Sequence, residues 1–401
     1  MISADEVLEA LDLSRAEPGT GFLEALFSRF NAKVLFENAS KIVRHAEVAD
    51  PAAKPRTPEV FWKDHLELGA GGTCFARVAA FDALLAALGY RTRRALGRVR
   101  NPNDHAAIFV EAPGGETIAD VGFPLPALLP AASAFVETPT VALRVEPFPE
   151  GFEITLEGGV PEAIRSFAIH TAPVSAEAYD RLWRETFRPG GPFVQEVSLR
   201  RDLGHRILSF ARGEVRVDDL CSRLRVPLLG SRPAALAALF DLDERLIARA
   251  LEIAGDPPPA NGHTTLTAFL ETGASASSAY DAIGSPEGYR RLLEGVGRVE
   301  DLRETPGGFR LTLSAAPGEA AALEEEVSLD PATRRVSIVR RSAAGEQRSS
   351  YCAAERGGKA TLLREAEFAG AREDLLRQDS LRGRLAASLA VDLLAWSRLR
   401  S

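Results

Sequence analysis

Cysteine and methionine are scarce in this sequence of 401 residues, and lysine is far rarer than arginine. The three cysteines, Cys74, Cys221 and Cys352, are odd in number and far apart, which argues against a disulfide framework. No CxxC pair occurs and the six histidines are widely spread, so we expect no metal site. Cys221 and Cys352 have no histidine or acid pattern nearby, and we expect both to be structural.

Long apolar runs and an excess of positive charge are also missing. No stretch approaches about 18 consecutive apolar residues, so no membrane span is predicted. The formal net charge of -8 argues against a nucleic-acid binder, which is usually basic. The chain starts with Asp5 and Glu6 where a signal peptide would be basic and then apolar, which predicts a cytoplasmic protein.

Apolar residues make up 45% of the chain, enough for sizeable cores, and the length suggests two or three domains. The first 90 residues have helical spacing, and strand-like segments follow. Helices are predicted at Ala4–Leu13, at Gly21–Asn38, from Thr57 onwards and at Thr73–Gly89. Later segments predict strands at Thr92–Val99, His105–Glu111, Glu116–Val121 and Val194–Leu199, and a helix at Leu236–Ile253.

The clearest linker covers residues 256–262, where three consecutive prolines cannot continue a helix. Beyond it the pattern predicts a strand at Thr264–Glu271, two short helices and several more strands. A long last helix is predicted, with Leu381, Leu385, Leu389, Leu393 and Trp396 on one stripe. An antiparallel sheet wrapped around such a helix is a helix-grip architecture, which we predict for residues 263–401.

Cys74 has the most informative surroundings in the chain. It follows Gly71-Gly72-Thr73, where a glycine-rich turn opens into an apolar helix, and His105 and Asp120 come next on strand-like segments. A thiol, an imidazole and a carboxylate are the groups needed to activate a sulfur nucleophile and to orient its base. Each residue alone has an ordinary structural explanation, but the ordered trio favours catalysis by acyl transfer through a thioester.

The predicted local structure would support that chemistry. The helix N-terminus and a protonated His105 would both stabilise the Cys74 thiolate, and Asp120 would hold the imidazole through its other nitrogen. Gly71 and Gly72 would leave backbone amides uncovered, so that an acyl donor could approach. The Cys74 amide and a neighbouring N–H are candidates for an oxyanion hole.

Several motifs in residues 1–255 together resemble the arylamine N-acetyltransferase family. They are Phe36-Glu37-Asn38, Gly71-Gly72-Thr73-Cys74, Leu88-Gly89-Tyr90, His105 and Asp120-Val121-Gly122-Phe123. The resemblance implies an α+β fold of the cysteine-peptidase type, with a helical bundle at 1–90, a β-barrel at 91–200 and an α/β lid at 201–255. It also implies a Cys74–His105–Asp120 triad and an acyl-CoA donor as co-substrate, without a bound cofactor.

The resemblance further implies a substrate pocket, and some positions depart from the family pattern. Phe36, Gly72, Thr73 and Phe123 are the candidate pocket residues. The family pattern has arginine at Ala70, glutamate at Ala76 and glycine at Pro124. If the arginine and glutamate pair in relatives, losing both together is tolerable, whereas losing one would leave an unpaired charge. Pro124 puts specificity for an acetyl group in doubt.

Residues 263–401 are similar in element order to helix-grip proteins of the START/polyketide-cyclase superfamily (SRPBCC). The similarity includes Ser285-Pro286-Glu287-Gly288-Tyr289 early and an amphipathic helix last. It implies an apolar ligand between sheet and helix, by analogy only. A purely structural role for this region is an equal alternative.

The sequence thus predicts an acyltransferase that moves an acyl group from acyl-CoA or an acyl carrier protein, through Cys74, to a small-molecule amine. One alternative is an amide synthase of polyketide-type biosynthesis, and another is a thiol hydrolase or transglutaminase-like enzyme. A ligand-binding protein with a vestigial triad is the non-enzymatic alternative. Nucleic acid and membranes are not expected partners.

Overall fold

The computed structural model divides the chain into two compact units. The first comprises residues 1–220 and 228–260, and the second comprises residues 221–227 and 261–401. The structure describes residues 2–157, 166–219, 222–228, 231–255, 259, 262–272, 275–293, 299–313, 323–342, 345–356, 359–368, 372, 374–377, 385–386 and 389. Cys221 and most of the predicted linker lie outside these residues.

The first unit begins with helices and continues with strands. Its helices are α1 (Ala4–Ala10), α2 (Thr20–Lys33), α3 (Ala39–Glu47), α4 (Pro58–Leu68), α5 (Cys74–Ala87), α6 (Ala176–Glu185), α7 (Arg232–Phe240) and α8 (Glu244–Ala254). Its strands are β1 (Phe36–Glu37), β2 (Thr92–Arg98), β3 (His105–Ala112), β4 (Gly115–Ala119), β5 (Leu129–Pro130), β6 (Ala134–Glu137), β7 (Ala142–Phe148), β8 (Gly151–Glu157), β9 (Ser166–His170), β10 (Leu199–Asp202), β11 (Ile207–Ala211) and β12 (Glu214–Asp218).

An eight-stranded antiparallel sheet forms the centre of this unit. Its strand order is β5-β4-β3-β2-β9-β8-β7-β6, and the two edge strands β5 and β6 lie close enough to make a nearly closed barrel. Helix α5 packs on β3 and β2, and its residues are buried on nearly every side. A helix that is apolar all round belongs inside a core, which explains why α5 lies between the other helices and the sheet.

Local sequence signals account for several helix ends. The Thr57 hydroxyl accepts a hydrogen bond from the Val60 amide at the start of α4, and Pro58 occupies the first turn. Gly69 ends the same helix in the left-handed conformation with φ of 67°. The predicted helices starting at Ala4 and Pro58, and the one containing Cys74, are confirmed within a few residues.

Other predicted elements are wrong in extent. The predicted helix Gly21–Asn38 ends at Lys33, because Phe36 and Glu37 pair with Arg200 and Leu199 of β10 instead. The predicted helix Leu236–Ile253 is two helices, since Asp241 takes a left-handed φ of 55° between them. The predicted strand Val194–Leu199 begins only at Leu199, and helices α3 and α6 were not predicted.

Among its described residues, the second unit has one antiparallel sheet and three helices with defined bounds. Its strands are β13 (Ser222–Pro227), β14 (Thr264–Thr272), β15 (Val299–Thr305), β16 (Gly308–Leu313), β17 (Leu323–Asp330), β18 (Arg335–Ser342), β19 (Gly345–Arg356) and β20 (Lys359–Phe368), in the order β13-β14-β20-β19-β18-β17-β16-β15. Its helices are α9 (Ala276–Gly284), α10 (Pro286–Leu292) and α11 (Asp374–Arg377). Of the predicted last helix, Leu381, Leu393 and Trp396 lie outside the described residues, so the helix-grip classification stays a prediction.

In the part of the chain that the structure describes, no helix has both the length and the apolar character needed to span a bilayer.

Candidate active site

Cys74 is the first residue of α5, with Thr73 as its N-cap. The amides in the first turn of a helix have no acceptor within the helix and lie at the positive end of the dipole. Cys74 keeps 7% of its surface exposed, and its Sγ lies 3.9 Å from the Asp104 carbonyl oxygen. The thiol is therefore held close to polar backbone groups at the end of a buried helix.

Close backbone packing explains the two glycines before Cys74. A Cβ on Gly71 would stand 1.9 Å from the Leu35 carbonyl oxygen, and a Cβ on Gly72 would stand 2.8 Å from the Ala76 methyl carbon. The Gly72 amide donates to the Leu35 carbonyl at 3.1 Å, and the Gly72 carbonyl accepts from the Glu37 amide at 3.2 Å. The two glycines thus make room for the segment that leads into β1. The sequence had instead predicted that they leave backbone amides open to an acyl donor.

His105 and Asp120 meet because β3 and β4 are adjacent antiparallel strands. His105 opens β3, and Asp120 is the residue directly after β4. His105 Nε2 lies 2.8 Å from Asp120 Oδ2, and both side chains are almost fully buried. Asp120 Oδ1 also accepts from the Phe123 amide at 2.8 Å. The carboxylate is therefore fixed by the turn that follows it and holds one nitrogen of the ring.

Small residues and aromatic rings enclose the imidazole. A Cβ on Gly97 would lie 2.5 Å from the Ala168 carbonyl oxygen and 3.1 Å from His105 Cδ2, so a larger residue would crowd the ring on that side. The Phe167 ring centroid is 5.5 Å from that of His105, and the Phe123 centroid is 6.4 Å away. This packing restricts the ring to one orientation.

Cys74 and His105 lie on either side of one glycine. A Cβ on Gly122 would be 3.0 Å from Cys74 Cβ and 3.0 Å from His105 Cε1. Because Nε2 is taken by Asp120, Nδ1 is the ring nitrogen left for the thiol. The structure therefore brings together all three residues that the sequence singled out.

Electrostatics favour the protonated ring. Burial alone would lower the pKa of His105, but the charge of Asp120, the hydrogen bond to Asp120 and the neighbouring Cys74 raise this pKa to about 10. An imidazolium at neutral pH would stabilise a thiolate beside it, as in enzymes that use a cysteine–histidine pair.

Arg77 is a buried residue that sequence reasoning missed. It lies three residues after Cys74 and donates from Nε to the Val121 carbonyl at 2.7 Å and from Nη2 to Asn31 Oδ1 at 2.7 Å. It also bonds the Val34 carbonyl. Arg77 thereby ties α5 to the turn that carries Asp120. An arginine inside an otherwise apolar helical run was the available signal.

The Phe36-Glu37-Asn38 motif has a structural role here. Asn38 Nδ2 donates to the carbonyls of Phe193 and Glu196, and its Oδ1 accepts from the Ser198 amide at 2.7 Å. All the hydrogen-bonding atoms of this buried amide are thus directed at the loop before β10. Glu37 accepts from the Ser40 amide at 2.9 Å and lies 3.8 Å from the Arg56 guanidinium.

Arg56 supplies a buried cation near Ala70 and Ala76, where the family pattern has arginine and glutamate. Its guanidinium bonds the Gly71 carbonyl and lies 3.2 Å from Asp64 Oδ2. Ala70 and Ala76 carry no charge, so neither member of the family's charged pair is left without the other. That the double loss is tolerable stays a prediction.

The four candidate pocket residues are divided between two places. Phe123 packs on Phe167 with centroids 4.9 Å apart and lies next to the His105 ring. Phe36 packs edge-on against Phe193 at 5.5 Å and is bridged to Gly72. Gly72 and Thr73 line a small cavity beside the start of α5. Contact with a substrate remains a prediction for all four residues.

Part of the chain matches a known protein family. Residues 21–148 match the family model described as N-acetyltransferase. No curated protein matches the chain.

Three solved structures illustrate the similarity of fold. An arylamine N-acetyltransferase from Mycobacterium smegmatis is 18% identical, with a TM-score of 0.55 over 64% of this chain and 100% of its own. The enzyme from Mycobacterium marinum, solved in complex with CoA, is 19% identical, with a TM-score of 0.51 over 62% and 98%. One from Bacillus cereus, described with a Cys-His-Glu catalytic triad, is 15% identical, with a TM-score of 0.51 over 61% and 100%.

The chain thus matches the N-acetyltransferase family model at residues 21–148, and its α+β architecture with a nearly closed barrel is similar to the fold of the solved arylamine N-acetyltransferases.

Proposed function

We propose that this protein is an acyltransferase in which Cys74 accepts an acyl group from a thioester and passes it to an amine. The observation that carries this proposal is the position of the His105 ring, which is bonded to Asp120 through Nε2 and lies with Cys74 against the same glycine, Gly122. Cys74, His105 and Asp120 then act as nucleophile, general acid–base and orienting carboxylate.

The reaction divides into two half-reactions. The Cys74 thiolate attacks the thioester carbonyl, the bond to the donor sulfur breaks, and the departing thiolate takes a proton from the His105 imidazolium. An amine then attacks the new thioester on Cys74, neutral His105 removes the amine proton, and the Cys74 thiolate leaves with an amide as product. The Cys74 amide at the start of α5 is the candidate donor to the oxyanion in both steps.

Acyl-CoA is the proposed donor and is a substrate, not a resident cofactor. Support comes from the Mycobacterium marinum relative, which was solved with CoA. The Bacillus cereus relative supports use of a thiol–imidazole–carboxylate set on this fold. The identity of the acyl group and of the amine belongs to the same proposal, and a carrier-bound acyl donor would react by the same two steps.

Intact-mass spectrometry after incubation with acetyl-CoA and longer acyl-CoAs tests the proposal. We expect one acyl adduct per chain, lost in Cys74→Ala and retained in Cys352→Ala, which changes the half-buried cysteine of β19. Addition of an arylamine should then discharge the adduct and release an amide.

The same experiment separates the alternatives. Turnover of peptide or glutamine substrates with no adduct from any thioester would support a thiol hydrolase. Absence of adduct, of turnover and of selective alkylation at Cys74 would support a binding protein with a vestigial triad.

A further inference from the structure

A second group of charged residues lies beside the start of α5. Lys41, Arg44, Lys54 and Arg56 line one cavity together with Ala76 and Trp183. We call this space the basic cavity. Gly72 and Thr73, the two residues before Cys74, also line it. The basic cavity therefore lies next to the segment that leads into Cys74.

The four cations have few carboxylate partners. Among the described residues, Arg56 lies 3.2 Å from Asp64 and 3.8 Å from Glu37. Arg44 and Lys54 donate to the backbone carbonyls of residues 54, 53 and 45. Lys41 Nζ donates to Thr186 Oγ1 at 2.9 Å and to the Pro192 carbonyl at 2.8 Å. Four positive charges thus converge with two carboxylates, both on the side of Arg56.

Burial makes this excess of positive charge costly. Lys41 and Arg56 keep only 5% and 4% of their surface exposed. Burial lowers the pKa of Lys41 to about 8, with a smaller opposing contribution from Cys74, and burial together with the charge of Arg56 lowers the pKa of Arg44. Buried charges in proteins are normally paired, so an anion entering this cavity would be strongly favoured.

The shape of the cavity limits the anion. Its volume of about 10 Å³ accepts one water-sized group, such as a single carboxylate oxygen. The Ala76 methyl and Arg56 Nη2 lie 2.8 and 3.0 Å from the same point, where a Cβ on Gly72 would be. The cation and the small side chain are therefore neighbours, and Ala76 is the position from which a longer side chain would enter the cavity.

We propose that the basic cavity binds the carboxylate group of a substrate. A carboxylate matches Arg56 and Arg44, because the planar guanidinium group bonds carboxylate oxygens well. Trp183 and Phe187 also line the cavity and make part of its wall apolar. Combined with the proposed acyl transfer, on which this second step rests, the site selects an acyl group or an amine that carries a carboxylate.

Binding can be tested without any enzymatic reaction. Thermal unfolding of the full chain, carrying Cys74→Ala, is followed with increasing sodium acetate at constant ionic strength, and with acetamide as the neutral counterpart. We expect a saturable rise in Tm with acetate only. The pair Ala76→Glu and Ala76→Gln is matched in size: Glu should abolish the acetate effect by placing its own carboxylate in the cavity, and Gln should retain part of it.

A further variant is needed because both Ala76→Glu and Ala76→Gln could block the basic cavity by size alone. Lys54→Met removes one half-buried charge at the cavity without blocking it, and we expect acetate affinity to fall about tenfold. An acetate effect unchanged in both Ala76→Glu and Lys54→Met, or no effect in the parent protein, would overturn the proposal. A stronger effect of inorganic phosphate than of acetate would overturn the assignment to a carboxylate.

The source of the carboxylate is then separated by rate measurements. Succinyl-CoA is compared with butyryl-CoA in adduct formation on Cys74, and an aminobenzoate is compared with aniline in adduct discharge. A preference of about tenfold for one carboxylate substrate, lost in Lys54→Met, identifies the source. Equal rates in both comparisons would contradict substrate selection. If acetate binds but no thioester forms an adduct, the proposed carboxylate site is supported and the proposed acyl transfer is rejected.

Discussion

Gly122 lies against Cys74 so closely that a Cβ on this glycine would be 3.0 Å from the cysteine Cβ. The same Cβ would be 3.0 Å from His105 Cε1 and 2.3 Å from the Ala106 carbonyl oxygen. The glycine of the Asp120-Val121-Gly122 segment therefore sets the spacing between thiol and imidazole, although it has no chemical group of its own.

Gly122→Ala is expected to separate Cys74 from His105. The backbone carbonyl of Ala106 cannot move easily, so the backbone at Gly122 must shift, and the added methyl still crowds the two side chains. We expect the rate of acyl adduct formation to fall by about a hundredfold or more, since small misplacements of reacting groups cost that much. Intact-mass spectrometry of samples quenched at successive times would give the rate of adduct formation.

The matched control is Gly21→Ala in α2, where a Cβ meets nothing within 4 Å. It should leave the rate unchanged and stabilise the helix by about 0.5–1 kcal/mol. Equal rates in the two variants would show that Gly122 does not set the spacing.

Asp120→Asn is expected to change how stability depends on pH. The pKa of His105 is raised in the folded protein to about 10, chiefly by Asp120 against the opposing effect of burial. A raised folded pKa contributes stability that is complete below the unfolded value, near 6.5, and is lost as the pH rises through the folded value. The stability difference between the parent protein and Asp120→Asn should therefore be largest at about pH 6 and smaller at about pH 10.

Urea unfolding at several pH values would measure that difference. Glu116→Gln is a suitable control, because Glu116 pairs with Arg93 at 2.7 Å and this ion pair contains no histidine. Its stability difference should not change over the same interval. A stability difference between the parent protein and Asp120→Asn that grows with pH would contradict a raised pKa of His105.

Arg77→Met is expected to destabilise the protein strongly. The substitution leaves Asn31 and the carbonyls of Val34 and Val121 without their buried donor. Loss of a buried, fully bonded cation costs about 3 kcal/mol or more, even though burial itself opposes the charge. Chemical denaturation would measure the loss.

Arg91→Met provides the comparison for Arg77. Arg91 forms an ion pair with Glu111 at 3.0 Å while its side chain stays 84% exposed. Removal of such a pair should change stability by less than about 1 kcal/mol. A similar small effect of Arg77→Met would show that its three contacts contribute little.

Asn38→Leu is expected to release the loop before β10. The amide of Asn38 makes three hydrogen bonds to backbone atoms of residues 193, 196 and 198. Leucine has a similar size but leaves these groups unpaired, so we expect a loss of about 2–4 kcal/mol. Hydrogen exchange should rise in residues 193–198, and unchanged protection there would argue against the role of Asn38.

Structural features that depend on neighbouring residues were predicted correctly from the sequence, whereas a pairing between distant segments was missed. Thr57-Pro58 and the glycine after α4 specify a helix through groups within a few residues, and these boundaries were confirmed. Phe36-Glu37 continued a helical pattern, yet forms a strand because its partner, β10, lies more than 160 residues along the chain. No local pattern contains that pairing.

The candidate site shows the same division. The sequence alone determined which residues carry reactive groups, and it placed Cys74 at a helix start and His105 and Asp120 on successive strand segments. Only the tertiary structure decided that Gly122 and Gly97 make room for the ring, that Arg77 ties α5 to the Asp120 turn, and that four cations meet beside the start of α5. Chemical identity is written residue by residue, whereas spacing and burial arise from contacts between segments that are distant in the chain.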